Sequence, residues 1–429
     1  MIYSKIKDVI INNIILQHSI WAVLGSSVLR GAGIIASIYV AKITGADAFG
    51  AYGMLKNFVL SLAVFSTFGL GYTATKFVAE NRMSPNRLRI IIKNSNKVTF
   101  ILSLIITCAL FFSSKEVAQY LFKNLQLDTP VKIIAVWLFF NALTTLQQGI
   151  LAGFGFYKII AKINTYIGVF SFIITIIFTK VWLLEGALTA LLISQIFNFL
   201  LNFKVINQEL RSASNNEDSI LEIGDYSIYN LIKISFPITL NELSYSFFGW
   251  LSSYLIIIYY NYSQLGIYNA AMQWYMIIIF IPGVLRNVVL SSLSSNRGKE
   301  INIVKQMLWI NFITSISIAF VIFIFSSMIT KIYGTSFEGV ETVINILSLC
   351  AVITSLCNVY IQTLISKSHF WTVFISRLGY DSLTVALFVA VIMYYPNENG
   401  ALIMSLVLLG STILYYLISI LLYKKSINS

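Results

Sequence analysis

Apolar runs of about twenty residues follow one another along this chain, continuous rather than alternating, and nothing else constrains its fold as strongly. A run of that length crosses the ~30 Å hydrocarbon core of a bilayer as an α-helix, with its backbone hydrogen bonds satisfied inside the segment. Strands of a closed barrel would need apolar and polar residues in alternation. The pattern therefore predicts an all-α polytopic membrane protein of about twelve transmembrane helices. They fall near 19–41, 48–72, 95–113, 132–153, 160–182, 185–204, 232–259, 266–290, 304–328, 340–366, 370–394 and 400–423. Only 11% of the 429 residues are charged and 58% are hydrophobic, whereas a soluble domain carries about 25% charged residues. A surface that poor in charge has to face lipid.

One polar stretch interrupts the runs. Residues 205–231, with Asn207, Gln208, Glu209, Arg211, Asn215, Asn216, Glu217 and Asp218, divide the chain into an N-terminal six-helix lobe (1–204), a cytoplasmic linker (205–231) and a C-terminal six-helix lobe (232–429). With the N-terminus placed in the cytoplasm, nineteen of the 29 Lys and Arg residues fall in inner loops and ends, six outside and four within spans. That bias fixes the orientation, with both termini cytoplasmic. The net charge of +12 thus marks loops and headgroups rather than nucleic acid. Its densest cluster runs from Lys76 to Lys97. The first 19 residues read as a short amphipathic surface helix, with Ile2, Ile6, Ile10 and Ile14 at four-residue spacing and no small-residue cleavage site.

A weak internal repeat accompanies the division. Phe49-Gly50-Ala51-Tyr52 opens the second span, and Leu265-Gly266-Ile267-Tyr268 opens the eighth, 216 positions later. Glu185-Gly186-Ala187-Leu188 and Asn399-Gly400-Ala401-Leu402 are 214 apart, as are Gln148 and Gln362. Two six-helix halves in the same orientation form a parallel repeat, a transporter architecture with its substrate path at the repeat interface.

The chemistry the chain can carry is narrow. It holds no G-x-x-x-x-G-K-[ST] phosphate loop, which argues against ATP binding. Cys108, Cys350 and Cys357 sit in apolar runs without C-x-x-C spacing, and His18 and His369 stand apart, so no metal centre or other cofactor is expected. No loop is long enough for a catalytic domain, and an enzyme is not expected. The informative residues are charges inside spans, each costing at least ~2.5 kcal/mol at a helix centre and so needing a cavity or a partner. Arg30, deep in the first span among Gly25, Ser26, Ser27, Gly31 and Gly33, reads as facing a central cavity. Lys56 either joins it there or snorkels outward. Glu242 follows the helix-kinking Pro237 and can pair with a cavity cation or hold a coupling ion. Arg286, after Pro282 and Gly283, is a topology anchor or a ligand contact. Arg377 and Asp381, four apart, share a helix face and read as a self-neutralising pair. Four cations against two anions suit an anionic substrate, and the arginine fork suits phosphate. These six residues are the candidate substrate-binding set. Asn57, Gln148, Asn241 and Gln273 can add hydrogen bonds to sugars or to neighbouring helices.

Several segments together carry a family resemblance. They are the first span with Arg30, then Ile43-Thr44-Gly45-Ala46-Asp47-Ala48-Phe49-Gly50-Ala51-Tyr52, Gly69-Leu70-Gly71, and Thr75-Lys76-Phe77-Val78-Ala79-Glu80 before a basic loop. Leu151-Ala152-Gly153 ahead of Tyr157-Lys158, and Glu185-Gly186-Ala187 at the sixth span, fit the same pattern. With these motifs the chain resembles Wzx-type flippases for lipid-linked oligosaccharides, of the multidrug/oligosaccharidyl-lipid/polysaccharide exporter superfamily. The likeness covers nearly the whole chain in topology, while the motifs lie chiefly in its first half. It implies a V-shaped two-lobe fold working by alternating access in a bacterial inner membrane. It implies transfer of undecaprenyl-pyrophosphate-linked repeat units of an O-antigen or capsule pathway to the periplasmic leaflet. Coupling to H⁺ or Na⁺ and loose association with polymerase machinery belong to the same picture. Arg30 matches the family's habit of a first-span cation, whereas the other charges map onto no shared motif. A drug or metabolite antiporter of the superfamily would favour cavity carboxylates. A lipid II flippase would have fourteen spans, and an O-antigen polymerase a large periplasmic loop.

Overall fold

The protein is described here from a computed structural model covering residues 14–82, 84–212, 228–283, 300–367, 369–394 and 399–428. Among these residues the secondary structure is helical throughout, without strands. Helix α1 (Ile14–Thr67) is 54 residues long and α5 (Tyr157–Ser212) is 56. At 1.5 Å per residue each is long enough for two crossings of a bilayer. Each is broken near its middle: α1 at Gly45, where φ is 79°, and α5 at Trp182 and Leu183. Between them lie α2 (Leu70–Glu80), α3 (Pro85–Phe112) and α4 (Asp128–Gly153). After the polar stretch come α6 (Ile228–Tyr259), α7 (Tyr262–Ile278), α8 (Glu300–Tyr333), α9 (Val340–Ser366), α10 (Phe370–Tyr394) and α11 (Gly400–Asn428). Eight helical stretches among the described residues are long and apolar enough to cross a membrane, the doubled α1 and α5 among them. Counting two crossings in each of those, and adding α6 and α7, gives the twelve the sequence spacing predicts.

Helices outrun the apolar runs that announced them. The third begins at Pro85, with Ser84 as its cap residue and Pro85 in the first turn, ten residues before the apolar onset. Arg87, Arg89 and Lys93 are therefore helical rather than part of a loop. The sixth-span helix continues through polar Asn207 and Glu209 to Ser212. The connection 113–131 holds helical turns at Ser114–Glu116, Val117–Leu121 and Leu125–Leu127. Hydropathy reports where lipid begins, whereas a helix can run on into water. Residues 213–227 of the linker and most of the amphipathic N-terminal segment lie outside the described residues.

The chain separates into two compact units: 1–43 with 55–246, and 44–54 with 247–429. In the first, α2, α3, α4 and α5 share a core of Leu70, Val78, Ile91, Leu146, Ile150 and Ile163. Its helices touch through small residues. A methyl group on Gly149 would collide with the Gly71 carbonyl, and one on Gly25 with the backbone of Ala161. Thr75 Oγ1 donates to the Gly149 carbonyl at 2.9 Å. In the second unit α9 is central, packed on α7, α8 and α11. Its α8 turns Phe320, Val321, Phe323, Ile324 and Phe325 outward while burying Asn311, Ser315 and Ser326. Lipid tails are as apolar as leucine, so burying leucine between helices gains little. Small and hydrogen-bonding residues go inside because they let helices approach and pair. Ser315 and Ser355 join α8 to α9 at 3.0 Å, and Thr384 joins α10 to Ser411 of α11 at 2.8 Å.

The sequence repeat has a spatial counterpart within the second unit. A methyl group on Gly50 of α1 would collide with the Tyr262 carbonyl of α7, and one on Gly266 of α7 would collide with the Ala46 carbonyl of α1. Gly50 and Gly266 are 216 positions apart, as are Ala46 and Tyr262. The two copies of the motif therefore cross each other, each glycine seated on the carbonyl four residues before the other. Gly53 meets its own counterpart, Asn269, one turn further on.

Candidate functional site

The in-span charges fall into two groups. On α1, Gly25 lies against Ala161 of α5, and Gly168 of α5 lies against Leu29 and Ala32. Those positions define the face of α1 that is packed on α5. Arg30, about 100° round the helix from Leu29, lies on the other side and is exposed. Among the described residues, a methyl group added at Gly31 or Gly33 would meet nothing within 4 Å. Lys56 is half-buried on the second segment of α1, and Glu242 is exposed on α6. Among the described residues, neither makes an ion pair or a hydrogen bond. Glu242 stands one turn beyond Thr239 and Ser235, which pack on Gly69 at the start of α2. Ser235 is hydrogen-bonded to Thr73 of α2 at 2.6 Å. Arg286 lies outside the described residues.

Arg377 and Asp381 of α10 form the second group. Arg377 Nε donates to Asp381 Oδ2 at 2.9 Å, and the Asp381 side chain is 7% exposed. The guanidinium also lies 5.2 Å from the centre of the Tyr380 ring. The pair the four-residue spacing predicts is therefore present, and Asp381 is held by its own helix. Around it runs a polar web that sequence reading misses. Tyr380 Oη and Thr412 Oγ1 are 3.1 Å apart. Thr412 also meets Cys350 Sγ at 3.2 Å, so Cys350 is a hydrogen-bonding member of the web as well as a packing residue. On the same helix as Cys350, Thr354 accepts from Tyr275 Oη of α7 at 3.0 Å. The web thus ties α7, α9, α10 and α11 together in the membrane. Half of its signal is local: Ser376, Arg377, Tyr380, Asp381 and Thr384 recur at three- and four-residue steps on α10. The hydrogen-bonded partners in it are 32 to 79 positions apart, out of reach of any local pattern.

No group of three or more metal-ligating side chains occurs among the described residues. What the arrangement offers is a cation on an exposed helix face in the first unit and a neutralised pair in the second. The chain is similar in fold to solved transporters. One is described as an inward-facing multidrug resistance MATE family transporter of the MOP superfamily, with a TM-score of 0.78, 13% identity and coverage of 94% of this chain and 98% of that one. An outward-facing MATE transporter matches with a TM-score of 0.70 at 15% identity, covering 97% and 95%. A MOP superfamily transporter from Pyrococcus furiosus, whose description reports a binding pocket of reverse polarity and suggests a different function, matches with a TM-score of 0.71 at 15% identity, covering 97% and 95%. At such identities the likeness shows the fold alone. Comparison with curated protein sequences returns no match. The profile of one sequence family, described as polysaccharide biosynthesis protein, matches residues 15–290. That match spans more than half of the chain, and this multi-pass α-helical membrane protein therefore belongs to the polysaccharide biosynthesis protein family.

Proposed function

We propose that the chain is a flippase that moves an anionic, undecaprenyl-pyrophosphate-linked oligosaccharide from the cytoplasmic to the periplasmic leaflet of a bacterial inner membrane, for O-antigen or capsule assembly. The observation that carries this reading is family membership in polysaccharide biosynthesis on a fold shared with transporters. The glycan and pyrophosphate would occupy a cationic cavity while the polyprenyl tail stays in lipid. Arg30 supports that picture, since its side chain lies on the face of α1 turned away from α5 and its planar fork can bind two phosphate oxygens. Lys56, Arg286 and Arg377 are further cations of the same set. Both termini are placed in the cytoplasm, as the charge bias requires.

Of the two acidic residues, Glu242 is the better candidate for coupling transport to H⁺ or Na⁺. Asp381 is already committed to Arg377, whereas Glu242 has no partner among the described residues. Reconstitution into liposomes with the lipid-linked oligosaccharide labelled in one leaflet tests the whole reading. Protein-dependent transfer, faster under a proton or sodium gradient, is the expected result; no transfer under either gradient overturns it. Transport of organic cations instead would favour the drug-antiporter alternative, and glycan chain extension would favour the polymerase. Glu242→Gln is expected to abolish the response to the gradient while leaving the lipid-linked glycan bound.

A further inference from the structure

A second polar site lies within the first unit, away from every residue assigned above. The N-terminal part of α3, the C-terminal part of α4 and the last turns of α5 enclose a cleft of about 320 Å³, at the small end of the ~300–1,000 Å³ range of ligand pockets. Arg89, Lys93, Asn96, Gln147, Asn207 and Phe203 line it, and among the described residues no carboxylate does. Gln147 is only 3% exposed, yet its side-chain oxygen has no hydrogen-bond partner among the described residues. An amide buried in that way costs free energy unless something else satisfies it. Among the described residues Lys93, Asn96 and Asn207 make no side-chain hydrogen bond either, while Arg89 reaches the Leu210 carbonyl only at 3.5 Å. Two cations and three carboxamides thus converge on one small space with most of their hydrogen-bonding capacity unused. That is the chemistry of a phosphate site: a forked and a point cation for the charge, and amides for the ester and hydroxyl oxygens.

The setting favours a phosphate carried on a lipid. On α5, Phe203 and Leu200 are about half exposed, at 49% and 53%, so the mouth of the cleft continues into lipid-facing surface. The charge bias assigns this end of the unit to the cytoplasmic leaflet, where anionic lipids meet basic pockets between helices. We propose that this cleft binds the phosphodiester headgroup of an anionic phospholipid, separately from the transported glycolipid. Occupancy satisfies Gln147, clamps the polar end of α3 onto α5, and gives the unit a dependence on lipid composition.

The test uses the purified full-length protein in detergent, freed of native lipid, with phosphatidylglycerol and phosphatidylcholine titrated separately and bound lipid counted by native mass spectrometry. No glycolipid is present, so failure of the flippase reading leaves the result untouched. Phosphatidylglycerol is expected to bind at least tenfold more tightly than phosphatidylcholine. The variants R89Q/K93Q and Gln147→Leu are expected to erase that preference, while K424Q/K425Q keeps it. Should Gln147→Leu fail to fold, Asn207→Ala reads the same cleft from a half-buried position. Equal binding of the two lipids, or an unchanged preference in R89Q/K93Q, overturns the proposal. Glycerol 3-phosphate binding as tightly as the lipid would support a phosphate site and overturn its assignment to lipid.

Discussion

Asp381 and Arg377 show how much one buried carboxylate can demand. Removing the partner of a buried charge costs about 3–5 kcal/mol, whereas replacing both members with apolar residues of similar volume is near neutral. Arg377→Ala is therefore expected to lower the thermal midpoint in detergent sharply, and R377M/D381L to restore most of it, as read by fluorescence-detected size exclusion. If R377M/D381L also keeps glycan transfer, the pair is structural. Arg30 makes the opposite prediction. Its exposure means that Arg30→Ala should lower the thermal midpoint much less than Arg377→Ala does. The same change should reduce surface glycan display at least tenfold, with Arg30→Lys intermediate because a lysine keeps the charge but loses the fork. Normal display by Arg30→Ala at normal protein level would remove Arg30 from the substrate path. The Arg377–Asp381 pair was legible because both residues lie on one helix turn. The link from Tyr380 through Thr412 to Cys350 was not, since neighbours in space there are distant in sequence.

Close crossings govern the next scale. Gly50 and Gly266 each lie under a carbonyl of the other helix, so a single methyl group on either forces α1 and α7 apart. Gly50→Ala and Gly266→Ala are each expected to destabilise by about 1–3 kcal/mol, as overpacking does, and by similar amounts because the two positions are equivalent. Gly410→Ala on α11, where a methyl group meets nothing within 4 Å, should be neutral or slightly stabilising through helix propensity. The same thermal assay separates them, and equal behaviour of all three would refute the crossing. The recurrence of Phe49-Gly50-Ala51-Tyr52 and Leu265-Gly266-Ile267-Tyr268 was visible as a repeat. That the two copies touch was not visible, because a repeat states equivalence and says nothing of contact. Helix lengths are less legible for a different reason. Hydropathy is blind to the polar turns of α3 and α5 that carry Arg89, Lys93 and Asn207, and those turns build the proposed lipid cleft.

For the whole molecule, the distribution of lysine and arginine makes an orientation claim that labelling can check. In a background with the three cysteines replaced by alanine, Lys123→Cys is expected to react with a membrane-impermeant maleimide in intact spheroplasts. Lys425→Cys should react only after permeabilisation. The reverse pattern would invert the topology and place the cleft of α3, α4 and α5 at the outer leaflet. It would also move the proposed coupling carboxylate and cavity cation relative to the gradient, so the direction of transport rests on the same measurement.

The sequence by itself determined the solvent, the helical class and the approximate number of crossings, because lipid permits few ways to satisfy a backbone and each leaves a continuous apolar run. It also determined which few charges had to be explained, since burial of charge in lipid is costly wherever it occurs. Only the tertiary structure decided that Arg377 and Asp381 are partnered and that the repeated glycine motifs cross each other. It alone showed that α3, α4 and α5 bring two cations and three amides to one cleft. Those outcomes depend on which helix faces meet, and between helices in lipid that choice rests on the fit of small and polar side chains, which no single segment encodes.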